Sequence, residues 1–189
     1  MISAIVLAAG EGRRFGGTKQ LALAGGKPLA QYAVDAAAGG GVGEIVVVLG
    51  HDKERVEEAL ELPENARVVV NERYREGQAT SLAAGIDSLD GSSDAVVVLL
   101  ADQPGITAED VRSLARMYAL RRTPVVRLRF RDGPGPALLS REIWHEVLAL
   151  TGDTGARVLF EAHPELVEEV HVDEDAPVDV DVREDLERA

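Results

Sequence analysis

Short runs of apolar, β-branched residues recur along the first 130 positions and alternate with longer stretches of mixed polarity. The apolar runs lie at residues 2–7, 44–49, 67–70, 94–100 and 124–130, and several are followed directly by Gly, Asp or Pro. Each run is too short for a typical helix, and its continuous apolarity indicates a buried strand. The stretches between them, at residues 28–38, 52–62, 78–89 and 107–120, are compatible with helices. This β-α-β-α order predicts an α/β fold with a mostly parallel sheet and helices on both faces.

The pattern changes after residue 130. Residues 131–139 are interpreted as a Pro/Gly loop, and residues 140–150 as an amphipathic helix that contains Trp144. Residues 151–157 interrupt this helix before a further helical stretch, and another strand is predicted at residues 167–172. The chain of 189 residues, 46% of them hydrophobic, is long enough for one sizeable core and short for two. We therefore expect a single globular domain.

Composition and charge exclude several classes of protein. Cysteine is absent, which excludes disulfides, a Cys-based zinc site and a cysteine nucleophile, and a cytoplasmic setting fits this. No apolar run is long enough to span a membrane, and the first one does not resemble a signal peptide. The formal net charge of −13 argues against nucleic acid or an anionic membrane as a partner. Residues 161–189 hold twelve acidic and two basic residues, a balance of −10, which is mostly typical of a solvated surface.

A glycine-rich loop follows the first predicted strand and carries Arg13, Arg14 and Lys19. Its glycines let backbone N–H groups converge on an anion while the cationic side chains neutralise it, which predicts a phosphate site. The dinucleotide fingerprint GxGxxG does not fit, because Phe15 stands where the third glycine belongs. A P-loop does not fit either, since Thr18 precedes Lys19 in the reverse of the required order. A longer phosphate-binding loop or a flexible Gly-rich turn remains.

Two groups of carboxylates are candidates for a metal site. Asp102 follows a fully apolar strand, at the sheet edge where ligands of parallel sheets bind, and an Asp there can hold Mg²⁺ between phosphates. An Asx turn before Pro104 is the alternative reading. Asp179 and Asp181 lie on one side of an extended stretch because they are two residues apart, and either or both can complete the site.

Two further segments carry polar groups near predicted helix starts. After Gly77 a helix begins with Thr80 and Ser81 in its first turn, where hydroxyls and free N–H groups contact a ligand or simply cap the helix. Asp153 and Arg157 belong to a Gly-rich break between two helices. The planar guanidinium of Arg157 suits a terminal phosphate, although a surface position explains it equally.

Taken together, these motifs resemble the MobA-like NTP transferase family, and its molybdenum cofactor cytidylyltransferases in particular. The loop is similar to LAAGxGxRxGxxK, and residues 100–104 (LADQP) resemble the family's metal motif. GxxTSL recurs at residues 77–82, GDxGAR at residues 152–157, and the ending VDVDVREDL resembles DIDTPEDL. The chain departs from the family at Val182-Arg183, which replace Thr-Pro, and at Gly135, which stands where a histidine is common.

The resemblance implies a Rossmann-like fold of the nucleotide-diphospho-sugar transferase type. It also implies a division into a nucleotide-binding part (residues 1–130), an acceptor-side part (residues 131–172) and an acidic closing segment (residues 173–189). The implied roles are catalysis by Arg14, Lys19 and Asp102; nucleotide binding by Leu7, Ala8, Ala9, Gly10, Gly12, Arg13, Gly77, Thr80 and Ser81; acceptor binding by Asp153 and Arg157; and Mg²⁺ binding by Asp102, Asp179 and Asp181.

The reaction implied by the resemblance is transfer of a nucleoside monophosphate from an NTP to a phosphate-bearing acceptor, with release of pyrophosphate. Ala9 gives LAAG where guanylyl-transferring relatives commonly carry LAGG, which favours CTP as donor and molybdopterin or molybdenum cofactor as acceptor. A sugar- or polyol-phosphate nucleotidylyltransferase of the same fold is the alternative enzyme. A non-catalytic accessory protein that delivers the cofactor to a molybdoenzyme or its chaperone is the alternative from another class.

Overall fold

A computed structural model of the protein describes residues 1–153 and 155–188. Within these residues one seven-stranded sheet runs in the order β5-β4-β1-β6-β8-β7-β9, beside a two-stranded hairpin of β2 and β3. The strands are β1 (Ile2–Ala8), β2 (Leu23–Ala24), β3 (Lys27–Pro28), β4 (Glu44–Leu49), β5 (Ala66–Val70), β6 (Ala95–Leu100), β7 (Val125–Arg129), β8 (Pro134–Ser140) and β9 (Val167–His171). Strand β8 is antiparallel to both of its neighbours, and the other pairs in this sheet are parallel. The predicted α/β class is confirmed.

Helices pack on both faces of this sheet. They are α1 (Leu29–Gly39), α2 (Lys53–Glu58), α3 (Gln78–Asp87), α4 (Ala108–Arg121), α5 (Trp144–Leu148) and α6 (Arg157–Ala162). Side chains alternate along a strand, so Val6 of β1 packs with α1 and α4 on one face, whereas Ile5 packs with α3, α5 and α6 on the other. Buried apolar side chains on both faces explain why the central strands are continuously hydrophobic.

The interpretation of residues 131–139 as a loop was wrong, because most of them form β8. Prolines are rare inside sheets, since they lack an N–H donor. Here the register between β7 and β8 shifts between Arg127, which pairs with Ala137, and Arg129, which pairs with Pro134. This irregularity takes up Gly135 and Pro136, so the strand tolerates residues that are typical of turns.

The positions of the helices agree with the sequence pattern better than their lengths do. The predicted helix at residues 52–62 is limited to α2, and residues 140–150 form a short 3₁₀ turn (Arg141–Ile143) followed by α5. Helix α4 begins with a capping box in which Thr107 and Asp110 exchange side-chain and backbone hydrogen bonds. Across the described ranges, no helix has the length and apolarity needed to cross a membrane.

The closing segment packs beside the C-terminal end of β6 without joining the sheet. The N–H of Val180 donates to the backbone oxygen of Asp102 at 3.0 Å, and the Val180 side chain is fully buried. A Cβ on Gly105 would lie 2.6 Å from the Pro177 Cβ, so Pro177 packs where a side chain at position 105 would stand. The segment therefore holds Asp179 and Asp181 next to the strand end that carries Asp102.

Candidate active site

A cleft of about 530 Å³ lies beyond the C-terminal ends of β1 and β6, where parallel sheets bind ligands. We call it the main cleft. It collects most of the residues singled out in the sequence. Those that line it are Leu7, Ala9, Gly10, Gly12, Arg13, Arg14, Lys19, Ser81, Asp102, Asp153 and Asp181.

The opening loop, residues 9–21, is fixed by contacts that hold its backbone in one conformation. Gly12 has a φ of 61°, and a Cβ there would lie 2.2 Å from the backbone oxygen of Gly17. The buried amide of Gln20 donates to the backbone oxygens of Ala8 at 2.9 Å and Gly10 at 2.7 Å. Ala8 itself is buried on the α1 face of the sheet, so only its backbone belongs to this arrangement. The loop is a built cradle rather than a loose turn.

Phe15, which breaks the dinucleotide fingerprint, has a packing role. It is 6% exposed and shares a small apolar cluster with Ala24, Leu29 and Val180. The Arg183 guanidinium stacks over the Phe15 ring at 5.1 Å. The opening loop and the closing segment are thus joined through one apolar cluster, which sits behind the charged groups of the main cleft.

Lys19 links two carboxylates that come from distant parts of the chain. Its ammonium nitrogen Nζ lies 2.7 Å from Oδ2 of Asp102 and 3.5 Å from Oδ1 of Asp181. The Arg14 guanidinium lies 3.5 Å from the other oxygen of Asp181 and is largely exposed. These four side chains place positive and negative charge in direct contact at the floor of the main cleft.

The carboxylates fit a divalent cation only if other ligands complete the site. Among residues 1–153 and 155–188, no three His, Cys, Asp or Glu side chains are close enough to hold a metal ion by themselves. Asp102 and Asp181 supply hard oxygen donors, and the Lys19 ammonium between them shows that positive charge is stabilised there. Mg²⁺ is commonly bound by one or two carboxylates with substrate phosphates and water, which this pair matches.

Asp179 does not line the main cleft, and within the described residues it forms no ion pair with Lys19. Its carboxylate accepts a hydrogen bond of 2.7 Å from the side-chain amide of Gln103, outside the main cleft. Burial raises the pKa of Asp179, the Gln103 hydrogen bond opposes this, and the like charges of Asp102 and Asp181 add to the rise. Of the two predicted alternatives, Asp181 is therefore the carboxylate that shares the Lys19 contact with Asp102.

Near the start of α3, one predicted site residue lines the main cleft and two others make contacts only within the protein. Ser81 lines the main cleft, and its hydroxyl accepts a hydrogen bond of 2.9 Å from the side chain of Asn71. The hydroxyl of Thr80 instead donates to the backbone oxygens of Gly77 and Arg73. Gly77, with a φ of 114°, packs so closely on Gly152 that a Cβ would lie 2.3 Å from its carbonyl carbon. Thr80 and Gly77 shape the turn and do not line the cleft.

A second cavity of about 610 Å³, the side pocket, continues from the main cleft. The two share Leu7, Gln78, Leu100 and Asp153, and the carboxylate of Asp153 accepts the Gln78 N–H at 3.2 Å. Arg157, the predicted acceptor ligand, lines the side pocket but pairs with Glu161 at 2.6 Å and is largely exposed. The side pocket is further lined by Leu82, Val98, Gln103, Arg127, Ala137, Leu139, Phe160 and Asp179.

Sequence reasoning missed several residues that line the main cleft. Glu11 lies between Arg13, 2.6 Å away, and Arg75, 3.0 Å away, and both guanidiniums lower the pKa of its carboxyl. Arg75 stands two residues before Gly77, next to a motif that was already singled out, so its charge was an available signal. Gln20 carried no such signal, because a glutamine that binds backbone oxygens looks like any surface glutamine in a sequence.

Comparison with known proteins identifies the family. The MobA-like NTP transferase domain matches residues 4–167. The chain belongs to this family. A nicotine blue oxidoreductase from Paenarthrobacter nicotinovorans is 31% identical over 196 residues, which cover 99% of this chain and 95% of that protein. The crystal structure of Rv0371c from Mycobacterium tuberculosis H37Rv in complex with manganese is 28% identical, with a TM-score of 0.86 over 99% of this chain and 96% of that one.

Other relatives of this NTP transferase domain are longer. The bifunctional protein GlmU of Trichlorobacter lovleyi is 33% identical over 119 residues, 62% of this chain and 26% of that protein. The chain thus spans about a quarter of that relative's length. The fold is the nucleotide-diphospho-sugar transferase type that the sequence resemblance implies. The chain is a nucleotidyltransferase of this family.

Proposed function

We propose that this nucleotidyltransferase moves CMP from CTP to a phosphate-bearing acceptor, molybdopterin or molybdenum cofactor, and releases pyrophosphate. The observation that carries the proposal is the Lys19 ammonium between Asp102 and Asp181, on the floor of a cleft whose wall is the glycine-rich opening loop. A triphosphate needs both the loop with its cations and the carboxylates. The backbone N–H groups and the cations bind the phosphates, whereas the carboxylates bind the divalent counterion.

The chemistry is a displacement at the α-phosphorus. An oxygen of the acceptor phosphate forms a bond to that phosphorus, the bond from it to the β-phosphate oxygen breaks, and pyrophosphate leaves with the electron pair. The acceptor phosphate is already ionised at neutral pH, so no side chain has to remove a proton from it. Catalysis then depends on positioning and charge neutralisation, which supply several orders of magnitude in reactions of this kind.

Five charged residues of the main cleft have a part in this displacement. Arg13, Arg14 and Lys19 stabilise negative charge on the leaving pyrophosphate, and the N–H groups of the opening loop orient it. We assign contacts with the nucleoside to Ser81 and the backbone at Ala9, because both residues line the main cleft. Asp102 and Asp181 would hold the divalent ion, for which we propose Mg²⁺. When bound, such an ion neutralises phosphate charge.

Pyrophosphate release from CTP, Mg²⁺ and molybdopterin tests the proposal directly. We expect Lys19→Ala and Asp102→Ala to lower the rate by roughly a hundredfold or more, the loss typical when one preorganised charge is removed. Lys27→Ala is the matched control, because Lys27 pairs with Asp35 on an exposed surface outside the cleft. Near-normal turnover of either cleft variant would overturn the assignment.

Donor choice is tested separately by thermal unfolding with each of the four nucleoside triphosphates and Mg²⁺. A ligand that binds the native state raises the unfolding temperature in proportion to the logarithm of its concentration over its Kd. We expect CTP to give the largest rise, and a preference for GTP or ATP would refute the CTP assignment. Turnover with a sugar or polyol phosphate in place of molybdopterin would favour the alternative acceptor. Tight CTP binding without turnover would favour an accessory protein that serves a molybdoenzyme.

A second candidate function is oxidation–reduction, because the relative that matches 99% of this chain is named nicotine blue oxidoreductase. The two candidates differ in what is consumed. Pyrophosphate release that needs NTP supports transfer, whereas a change in the absorbance of an added nicotinamide or flavin cofactor, without NTP, would support oxidoreduction. The charged floor and glycine-rich wall of the main cleft favour the transfer reaction.

A further inference from the structure

The Arg127 side chain lines the side pocket and, among the residues that the structure describes, forms no ion pair with a carboxylate. It lies on β7, on the same sheet face as Val125, and its side chain reaches the α6 residue Phe160, whose ring centre lies 5.5 Å from the guanidinium carbon. Its Nε atom is buried and, within residues 1–153 and 155–188, has no hydrogen-bond partner. Glu169, its register neighbour on β9, and Glu161 of α6 attract it at longer range.

This state is unusual among the arginines near the two cavities. Arg13, Arg14, Arg75 and Arg157 each pair with a carboxylate and are largely exposed. Arg127 is partly buried, and burial lowers the pKa of its guanidinium, because neighbouring apolar groups replace water. An arginine remains protonated even so, and a charge without a partner is costly to bury. Glu161 and Glu169 attract Arg127 from farther away, so a ligand anion in contact with the guanidinium supplies a counter-charge that no side chain of the described residues supplies directly.

The surroundings of Arg127 specify the rest of such a ligand. Val98 of β6, Ala137 of β8 and Arg127 are register partners in one row across the sheet, and all of them line the side pocket. Leu139 and Phe160 add apolar surface next to this row. A planar guanidinium that lies against an aromatic ring suits a carboxylate or phosphate carried on an apolar or aromatic body.

The sheet also gives the separation between this point and the reacting centre. The order β6-β8-β7 places Arg127 two strand spacings, or about 10 Å, across the sheet from β6, the strand that leads to Asp102. A group held by Arg127 is therefore distinct from the phosphate that reacts beside Asp102.

We infer that the side pocket binds the acceptor through a second anionic group, which the Arg127 guanidinium holds while the acceptor's body lies against Phe160. This inference rests on the proposed function and adds to it the class of acceptor, a molecule that carries a further anionic group, besides its reacting phosphate, on an apolar or aromatic body. It assigns to Arg127 the anchoring role that the sequence resemblance gave to Arg157, whose guanidinium is already paired with Glu161.

Phenyl phosphate is a suitable probe, because it carries one oxyanion on one aromatic ring and needs no nucleotide chemistry. Binding is measured by ligand-observed NMR on the whole protein, with and without saturating CTP and Mg²⁺. We expect wild type to keep one probe site when CTP and Mg²⁺ fill the main cleft, whose own phosphate-binding groups take the probe only in their absence. Arg127→Leu should weaken binding roughly ten- to hundredfold, the loss typical of a charge-assisted bidentate contact. Arg127→Lys should fall between them, because it keeps the charge and loses the planar fork.

Arg129→Leu is the matched control. It removes the same charge two residues along the same strand from an exposed side chain that does not line the side pocket, and it should bind the probe as wild type does. The inference is overturned if, with CTP and Mg²⁺ present, wild type does not bind the probe, Arg127→Leu binds it as tightly as wild type, or Arg129→Leu loses as much affinity as Arg127→Leu.

Two readouts keep this inference separate from the proposed function. CTP with Mg²⁺ should raise the unfolding temperature of Arg127→Leu as much as that of wild type, because Arg127 does not line the main cleft. Should CTP stabilise neither protein while the probe still depends on Arg127, the proposed donor fails and the anion site stands. Should Arg127→Leu not fold, Arg127→Lys carries the comparison.

Discussion

Replacing Gly12 with alanine tests whether the opening loop is a phosphate cradle. Gly12 has a φ of 61°, and an added Cβ would lie 2.2 Å from the backbone oxygen of Gly17 and 3.2 Å from the backbone nitrogen of Lys19. Gly16→Ala is the matched control. Its φ is 77°, but an added Cβ would meet no atom within 4 Å. Both substitutions impose a left-handed alanine, and only Gly12→Ala adds a collision.

The expected effects follow from these distances. A left-handed alanine costs about 1–2 kcal/mol, so both variants should lose that much free energy of unfolding. In Gly12→Ala, the Gly17 oxygen must also retreat by at least 0.8 Å, from 2.2 Å to the 3.0 Å below which Cβ contacts essentially never occur. That movement displaces the backbone that carries Lys19. A misplacement of about 1 Å at a reacting site costs roughly a hundredfold in rate.

Urea unfolding of both variants and pyrophosphate release with CTP and Mg²⁺ measure the two effects. Gly12→Ala should lose turnover roughly a hundredfold, while Gly16→Ala should stay within a fewfold of wild type despite a similar stability loss. Equal losses of turnover would mean that backbone strain, and not the Gly17 contact, governs the loop. Normal turnover of Gly12→Ala would refute the idea that the loop backbone grips the triphosphate.

Three further outcomes are expected. Phe15→Ala and the core control Leu114→Ala should each lose about 3 kcal/mol of unfolding free energy in urea. Only Phe15→Ala should weaken Mn²⁺ binding, because Phe15 shares its apolar cluster with the segment that carries Asp181. Equal Mn²⁺ affinities of the two variants would contradict this. Asn71→Leu should destabilise the protein by about 1–3 kcal/mol in the same assay, since the Arg73 N–H loses its acceptor, and an unchanged midpoint would refute that account. The pKa of Glu11 is lowered from 4.5, so the stability that Glu11 contributes is present above pH 4.5 and is lost as the pH falls below this value. The difference in unfolding temperature between wild type and Glu11→Gln should therefore disappear in acid. A difference that does not change with pH would contradict this account.

The central strands were predictable because burial on both faces leaves a signal in the sequence. Strands β1, β4 and β6 are continuously apolar, and the helices between them leave parallel pairing as the simplest arrangement. Strand β8 left no such signal, because Pro134, Gly135 and Pro136 are residues typical of turns. Its place between β6 and β7 depends on an antiparallel return and a shifted register, which are tertiary properties.

The site divides in the same way. Asp102 and Lys19 were predictable, since both lie in motifs that follow apolar strands. Their direct contact was not, because 83 residues separate them and the closing segment brings in Asp181 as well. The position of Arg127 in the side pocket could not be predicted for a related reason. In the sequence it is one arginine of a strand that also carries Arg129, and only the packing of α6 separates a pocket arginine from an exposed one.

The balance of charge in the main cleft explains how one site can hold a donor and a metal ion together. Its lining includes four cations and four carboxylates: Arg13, Arg14, Lys19, Arg75, Glu11, Asp102, Asp153 and Asp181. Lys19 pairs with Asp102, and Arg75 pairs with Glu11, so a triphosphate that recruits these cations leaves carboxylates without partners. A divalent ion alone would likewise displace Lys19 from both aspartates. The nucleotide leaves carboxylates free for the metal ion, and the metal ion leaves the Lys19 ammonium free for the nucleotide. Binding of either ligand therefore raises the affinity for the other, and linkage requires both affinities to rise by the same factor. Pairing within the protein therefore favours joint binding of nucleotide and metal over binding of either one alone.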